Sequence, residues 1–297
     1  MALFVAFLLV THYFPEKQAR VAREIRLPSL PEDTNGVLQV THSWEDLSIT
    51  SSVSRARLTK IAEAFGVPRD WHLTYGLDEE TMGFHLRFPE WRARSRGLRV
   101  IEYRESHGSS VWLLRPSYPW LVDESHSELR DLARALEGAT LAQRGWSSRE
   151  LMEVVASFVQ SLRYAIPYEY RATRSGREIY NFGIATPLEV LVNKWGDCDS
   201  KSLLFASIMR NFRSERILLY MGMDHAFVAF RGVPRPGDKY VTRAGVRYIF
   251  VELTSPYPLG YVDKRIFKGL RQHQFQVVSL DGSGTDREQE PWMEFEE

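Results

Sequence analysis

The sequence predicts an α+β protein, and three observations carry this prediction. Helical periodicity dominates residues 124–212, whereas strand-like runs follow at residues 217–230 and 247–254. Helices and strands that are segregated along the chain are typical of helices packed on an antiparallel sheet. The 297 residues are 44% hydrophobic and 26% charged, an ordinary globular composition that excludes collagen-like, coiled-coil and wholly disordered chains.

Charge and cysteine content exclude further classes. The 38 Lys and Arg residues balance 38 Asp and Glu residues, and no basic run is present, so we do not expect a nucleic-acid partner. The single cysteine, Cys198, excludes an intrachain disulfide and a multi-cysteine metal site. We expect neither a cofactor nor a metal ion.

The amino-terminal segment, residues 1–14, begins with ten apolar residues. This run is shorter than the roughly 20 residues of a membrane-spanning helix, and it lacks the features of a signal peptide. Two interpretations stay open: a buried helix or strand, or the end of a membrane anchor that starts upstream of Met1. Three arginines in the polar stretch that follows suit a position just outside a membrane. We therefore favour membrane association and the cell envelope over the cytoplasm.

The rest of the chain divides by composition. Residues 15–36 are polar, contain Asn35-Gly36, and are interpreted as a linker. Residues 37–122 are expected to form an accessory α+β region, with a helix at 55–65 and strands at 37–41, 82–88, 98–103 and 110–114. Residues 123–270 form the predicted core. Residues 271–297 form an extension whose polar, acidic tail, 281–297, is expected to be mobile.

Helix signals are clear within the core. A helix at 124–137 is expected to end at Gly138, and another begins after the Ser147-Ser148 cap. Pro187 suits the first turn of a short helix that extends to Trp195. The next helix covers 198–212, and a turn-rich connection, 231–246, joins the two strand-like runs.

Cys198 is the first candidate for chemistry. If Asp197 is the N-cap, Cys198 is the first helical residue, and its thiolate faces unpaired N–H groups and the positive end of the helix dipole. This position lowers a thiol pKa, but the carboxylates of Asp197 and Asp199 oppose the change. A cationic neighbour is therefore needed, and protonated histidine is the usual one.

His225 and Glu252 complete a possible triad. His225 lies in the first strand-like run, and Glu252 lies in the second, where a charge needs a partner. If the two runs pair as antiparallel strands, these side chains become cross-strand neighbours. Nucleophile, base and orienting acid then follow in the order Cys, His, Glu. Asp263 is a weaker alternative to Glu252, and we expect Asp199 and Lys201 to serve the first helical turn and a local ion pair.

Four segments resemble the transglutaminase-like (papain-like cysteine) superfamily in its bacterial and archaeal branch: FVQSLRY, PLEVLVNKWGDCDSKSLLFASIMRNF, MGMDHAFVAF and YIFVELTSPYPLGYV. The resemblance covers about residues 147–265. It implies a papain-like core, with helices packed on an antiparallel sheet and the nucleophile at a helix N-terminus. It further implies that Cys198 is the nucleophile, His225 the general base and acid, Glu252 the group that orients the imidazole, and Gln160 an oxyanion donor. Most animal members have Asp at the third position, so Glu252 departs from them.

The expected function is thiol-dependent acyl transfer or hydrolysis on a peptide or amide substrate through a thioester, with hydrolysis favoured over cross-linking. Two alternatives remain, a non-catalytic binding or scaffolding module and a zinc site. For zinc, Cys198, His225 and Glu252 would need a fourth ligand that the sequence does not reveal. Helical periodicity places Gln160 opposite the apolar face, so a solvated glutamine is the alternative to an oxyanion donor.

Overall fold

The computed structural model describes residues 36–68, 97–104, 110–144, 147–173, 176, 178–212, 216–222, 225–272, 275–280 and 294–296. The predicted apolar segment at 1–14, nearly all of the predicted linker, the predicted strand at 82–88 and residues 281–293 of the predicted tail lie outside these ranges. Within them the protein is mixed α+β with antiparallel sheets, as predicted.

The described part of the accessory region contains two hairpins and a helix. Its elements are β1 (Val37–Trp44), β2 (Leu47–Ser54), α1 (Arg55–Phe65), β3 (Val67–Pro68), β4 (Leu98–Arg104) and β5 (Ser110–Pro116). β1 pairs with β2 and β4 pairs with β5, both antiparallel. The Ser54 hydroxyl caps α1 by accepting a hydrogen bond from the Arg57 N–H. The strand at 37, the helix at 55–65 and the strands at 98 and 110 are confirmed, whereas β2 was not predicted.

The helices of the second half are α2 (Tyr118–Ser125), α3 (Arg130–Arg144), α4 (Ser148–Ser161), α5 (Pro187–Asn193), α6 (Cys198–Met209) and α7 (Lys264–Arg271), with a 3₁₀ turn at His126–Leu129 before α3. The predicted end at Gly138 is wrong, because α3 continues to Arg144 with Gly138 exposed. α5 ends two residues early, where Lys194 adopts a left-handed φ of 60°. The helix predicted over 198–212 ends at Met209.

The described residues of the main sheet form β10 (Ile217–Met221), β11 (Ala226–Arg231), β12 (Tyr240–Arg243), β13 (Val246–Val251), β14 (Gln276–Ser279) and β15 (Glu294–Glu296). Across the sheet, these six strands follow the order β14-β10-β11-β13-β12-β15. The run predicted as one strand over 217–230 is therefore two strands, and His225 directly precedes the second. β12 lies in the predicted turn-rich connection. β15 pairs with β12, which corrects the expectation that the whole tail is mobile.

Short strands organise the connections around α5. They are β6 (Arg163–Tyr164), β7 (Tyr170–Ala172), β8 (Glu178–Tyr180) and β9 (Trp195–Gly196). β6 pairs in parallel with β9, with Tyr164 opposite Gly196. The chain that leaves α4 therefore lies beside the chain that enters α6.

The sheet is covered on both faces. Side chains of β10, β11 and β13 on one face join an apolar cluster with α4 and α6, and those on the other face pack with α7. α6 is buried around its circumference: all its residues from Ser200 to Met209 are buried. β1, β2 and α1 share the first cluster, and the Trp44 indole N–H donates to the Ser157 hydroxyl at 3.2 Å. β1, β2 and α1 are thus packed on the core.

Candidate active site

The first turn of α6 presents Cys198 at the edge of the sheet. Asp197 has an extended backbone and caps the helix, because its carboxylate accepts a hydrogen bond from the Ser200 N–H at 3.3 Å. Ser200 in turn connects this turn to the preceding loop, since its hydroxyl accepts from the Ala185 N–H at 3.0 Å. Cys198 is the first helical residue, as predicted, and is half-buried.

Three polar groups act on the sulfur. Against the effect of burial, the backbone N–H groups of Ala226 and Asp199 lower the pKa of the Cys198 thiol, and burial together with the neighbouring sulfur raises the pKa of the Tyr164 hydroxyl. Ala226 is the first residue of β11 and directly follows His225. The sulfur of Cys198 therefore lies close to the backbone that carries the His225 imidazole, although Cys198 and His225 are 27 positions apart in the sequence.

His225 and Glu252 are joined by a short hydrogen bond, 2.6 Å between Nε2 and Oε2. The strands that position them pair antiparallel: β11 begins one residue after His225, and β13 ends one residue before Glu252. Both side chains thus project from the same end of the strand pair. The register stops at Val228 opposite Val251, so the two residues are diagonal neighbours just beyond the ladder and not a directly opposed pair within it.

The second oxygen of Glu252 is also satisfied. Oε1 accepts from the Thr254 backbone N–H at 2.9 Å and from the Thr254 hydroxyl at 2.6 Å. Burial raises the pKa of the Glu252 carboxyl, but the hydrogen bond and charge of His225, together with the two bonds from Thr254, outweigh it, and the net pKa is lowered. A carboxylate only accepts hydrogen bonds, so we infer that Nε2 of His225 carries a hydrogen, and in the neutral form of the ring this leaves the lone pair on Nδ1.

The surroundings of Cys198 favour the protonated thiol. Burial raises the pKa of Cys198 to about 12, and the carboxylates of Asp199 and Asp197 add to the rise, against a lowering by the N–H groups of Ala226 and Asp199. Asp199 is itself perturbed, because burial and its contact with Asp197 raise the pKa of its carboxyl. The helix start therefore does not by itself lower the thiol pKa, and a thiolate at neutral pH needs a base beside it.

Gln160 has partners other than those expected of an oxyanion donor. Its Nε2 donates at 2.8 Å to the backbone carbonyl of Glu252 and at 2.8 Å to that of Tyr257. Because both partners are acceptors, the nitrogen must face them, and its two hydrogens are used. In this arrangement Gln160 has no hydrogen for an oxyanion, and it is not a solvated side chain either. Its two hydrogen bonds connect α4 to the segment that carries Glu252.

Two residues of the site were missed by sequence reasoning. Tyr164 was read only as part of a motif, and the parallel β6–β9 pairing that brings it to the sulfur has no local sequence signal. Lys201 was expected to form a local ion pair, but it is fully buried and bonds to backbone carbonyls.

Asp263 was the weaker alternative to Glu252 as the partner of the imidazole. Asp263 caps α7, and its carboxylate accepts a hydrogen bond from the Arg265 N–H at 2.8 Å, whereas Glu252 bonds to the imidazole.

Comparison with known proteins adds no assignment: no family model matches the chain, and no curated protein matches it. Within the described ranges, no group of three or more His, Cys, Asp or Glu side chains could hold a metal ion. Every helix in the described part of the chain is too short or too polar to cross a membrane.

Proposed function

We propose that the protein is a thiol-dependent hydrolase or acyltransferase that acts on peptide or amide substrates through Cys198, His225 and Glu252. One observation carries the proposal: Glu252 and His225 form a 2.6 Å bond directly before β11, and the backbone N–H of the next residue, Ala226, acts on the Cys198 sulfur and lowers its pKa. The resemblance to the transglutaminase-like superfamily supports the same roles. A nucleophile at the start of a buried helix that packs on an antiparallel sheet also supports a papain-like core.

The chemistry begins with a proton transfer. His225 Nδ1 takes the Sγ proton, and the sulfur attacks the substrate carbonyl carbon, which moves the C=O π electrons onto oxygen. Glu252 stabilises the imidazolium that forms and keeps the ring oriented. The tetrahedral intermediate collapses as the C–N bond breaks and Nδ1–H protonates the leaving amine. A thioester on Cys198 remains.

Deacylation repeats these steps with water. His225 takes a proton from water, the hydroxyl oxygen bonds to the thioester carbon, the C–S bond breaks, and the sulfur recovers the proton. Tyr164 is 48% exposed and lies close enough to the sulfur for Cys198 to act on its pKa, so solvent reaches the site from its side, which supports hydrolysis over cross-linking. Its hydroxyl also replaces Gln160 as the side-chain donor for the oxyanion, and such a donor typically contributes about 3–4 kcal/mol of transition-state stabilisation.

A second candidate is a non-catalytic module that keeps this arrangement for binding. The high pKa of Cys198, about 12, favours it, because a thiol that does not ionise is a poor nucleophile. The two candidates differ in whether His225 receives the thiol proton.

Turnover of peptide and glutamine-amide libraries separates them. Wild-type protein is incubated with the libraries, cleavage and ammonia release are followed, and the acyl-enzyme is sought by intact mass. We expect turnover and one adduct, both lost in Cys198→Ala but kept in Ser207→Ala, a buried serine further along the same helix that bonds to the Leu203 carbonyl. Absence of both turnover and adduct in the wild type supports the binding module instead.

A further inference from the structure

Lys201 is an unusual residue in a helix interior. It is fully buried one turn after Cys198. In the part of the chain that the structure describes, no carboxylate lies within ion-pair distance of its ammonium. Its Nζ donates instead to three backbone carbonyls: Leu162 at 2.6 Å, Leu253 at 3.4 Å and Gln160 at 3.5 Å.

These carbonyls belong to the other two segments of the site. Gln160 and Leu162 lie at the carboxyl end of α4, where unpaired carbonyls carry a partial negative charge, and the chain from there leads directly to Tyr164. Leu253 directly follows Glu252. One ammonium thus joins the helix of the nucleophile to the segment of the Tyr164 hydroxyl and to the segment of the carboxylate.

Stability alone does not account for this residue. Burying an ammonium is unfavourable, and well-packed apolar residues of similar volume often replace buried charges without loss of stability. The Gln160 side chain already connects the end of α4 to the carbonyls of Glu252 and Tyr257, so the two segments have a neutral brace. What Lys201 adds is a positive charge near Glu252.

We propose that Lys201 is a positioning residue of the thiol site: its ammonium fixes the segments of Tyr164 and Glu252 against α6, and its charge stabilises the Glu252 carboxylate that orients His225. The proposal rests on the proposed function. Burial lowers the pKa of Lys201 to about 8, and the negative charge of Glu252 acts in the opposite direction, so the two groups interact. Three further ionisable groups, Asp197, Cys198 and Asp199, lie at the start of the same helix, and His225 is bonded to Glu252.

The test needs no substrate. The rate of Cys198 alkylation by iodoacetamide is followed by intact mass for the wild type, Lys201→Met, Lys201→Gln and Leu204→Ala. The pH is varied from about 5 to about 9, a range that spans the ordinary pKa values of histidine and of a thiol. Leu204 is the matched control, because it is fully buried on the same helix and belongs to the apolar cluster. Thermal unfolding of each variant is measured in parallel.

Lys201→Met is expected to keep or raise the melting temperature, yet to lower the alkylation rate. The acid limb, which is the part of the pH profile where the rate rises with pH, should move to higher pH by about one unit, and this corresponds to about a tenfold lower rate on that limb. Lys201→Gln keeps a donor without the charge, so it recovers the plateau rate but not the position of the limb. Leu204→Ala melts lower with the limb unmoved.

A wild-type profile in a folded Lys201→Met, or an equal shift in Leu204→Ala, overturns the proposal. So does a failure of both Lys201 variants to fold, because the ammonium would then serve the fold itself. Peptide turnover by the wild type is read separately: its absence removes the proposed function, whereas the alkylation profiles still decide whether Lys201 controls the thiol.

Discussion

Replacing His225 by alanine tests whether the imidazole receives the thiol proton. In the native protein, burial and two carboxylates raise the pKa of Cys198 to about 12, compared with an ordinary value of 9.0, and we expect this rise to persist when the imidazole that would receive the proton is removed. At neutral pH the difference of about three units lowers the thiolate fraction about 10³-fold. A more basic thiolate is a better nucleophile, with a Brønsted coefficient of about 0.4–0.5, so about 1.2–1.5 decades are recovered. The native variant should react with iodoacetamide about 30- to 60-fold more slowly than the same chain in denaturant.

The assay is simple because the chain has one cysteine, so each adduct in the intact mass is on Cys198. Wild-type protein should react in its native state at least as fast as its denatured chain, since the imidazole accepts the proton. His126→Ala is the matched control: that ring bonds to the Asp123 carbonyl, away from the thiol, and its loss should leave the rate unchanged.

The sign of the effect is informative in itself. Alanine at position 225 opens the site, and better access would speed alkylation, which is opposite to the expected change. Equal native rates for the wild type and His225→Ala would refute the proton transfer and leave the non-catalytic module as the better account.

Four further predictions follow from the same contacts. Glu252→Gln places an amide N–H against Nε2 of His225 and favours the tautomer whose Nδ1 is blocked by a hydrogen, so turnover should fall about 10²- to 10⁴-fold while circular dichroism stays native. Tyr164→Phe removes one donor at the sulfur and should lower kcat by about 10²- to 10³-fold; unchanged kcat would exclude Tyr164 as an oxyanion donor. Gln160→Leu removes two hydrogen bonds to carbonyls, so urea unfolding should show a loss of about 1–3 kcal/mol; a fall in kcat without that loss would restore Gln160 to the oxyanion site. Lys201 has a pKa of about 8 in the folded state, compared with its ordinary value of 10.5, so folding disfavours its charged form. The full penalty is present below pH 8, and the free energy of unfolding should rise by up to about 3 kcal/mol as the pH increases from about 8 to about 10.5. Urea unfolding of Lys201→Met at the same pH values should not show this rise.

Local signals account for the parts of the structure that the sequence predicts well. Asp197 and Cys198 were placed correctly because a capping carboxylate and the apolar spacing of the next turns act within a few residues. The two apolar runs around His225 and Glu252 made antiparallel pairing the condition for the triad, and β11 and β13 do pair in this way. In contrast, β2 has a serine-rich sequence, LSITSSVS, whose strand state depends on packing one face into the core.

The remaining differences come from contacts between distant segments. Gln160 falls on the polar side of α4, but carbonyls 92 and 97 residues later meet it there, so periodicity alone suggested solvent. Lys201 looks like a surface lysine because its three acceptors are backbone atoms, which carry no sequence signature. The Cys198 pKa was the hardest to predict, since burial depends on how the sheet and α6 meet.

The charges of the site explain why its nucleophile depends on histidine. Asp197 is needed to begin α6, and Asp199 stands beside it, but both carboxyl groups disfavour a thiolate at Cys198. A resting thiol is less easily oxidised than a thiolate, which protects the single sulfur of the chain. Because Glu252 is ionised and bonded to His225, the imidazolium is the cation that can stabilise the sulfur anion once the proton moves. The same carboxyl groups that keep the thiol neutral therefore couple its activation to the His225–Glu252 pair, so that a change at either residue should act on the sulfur.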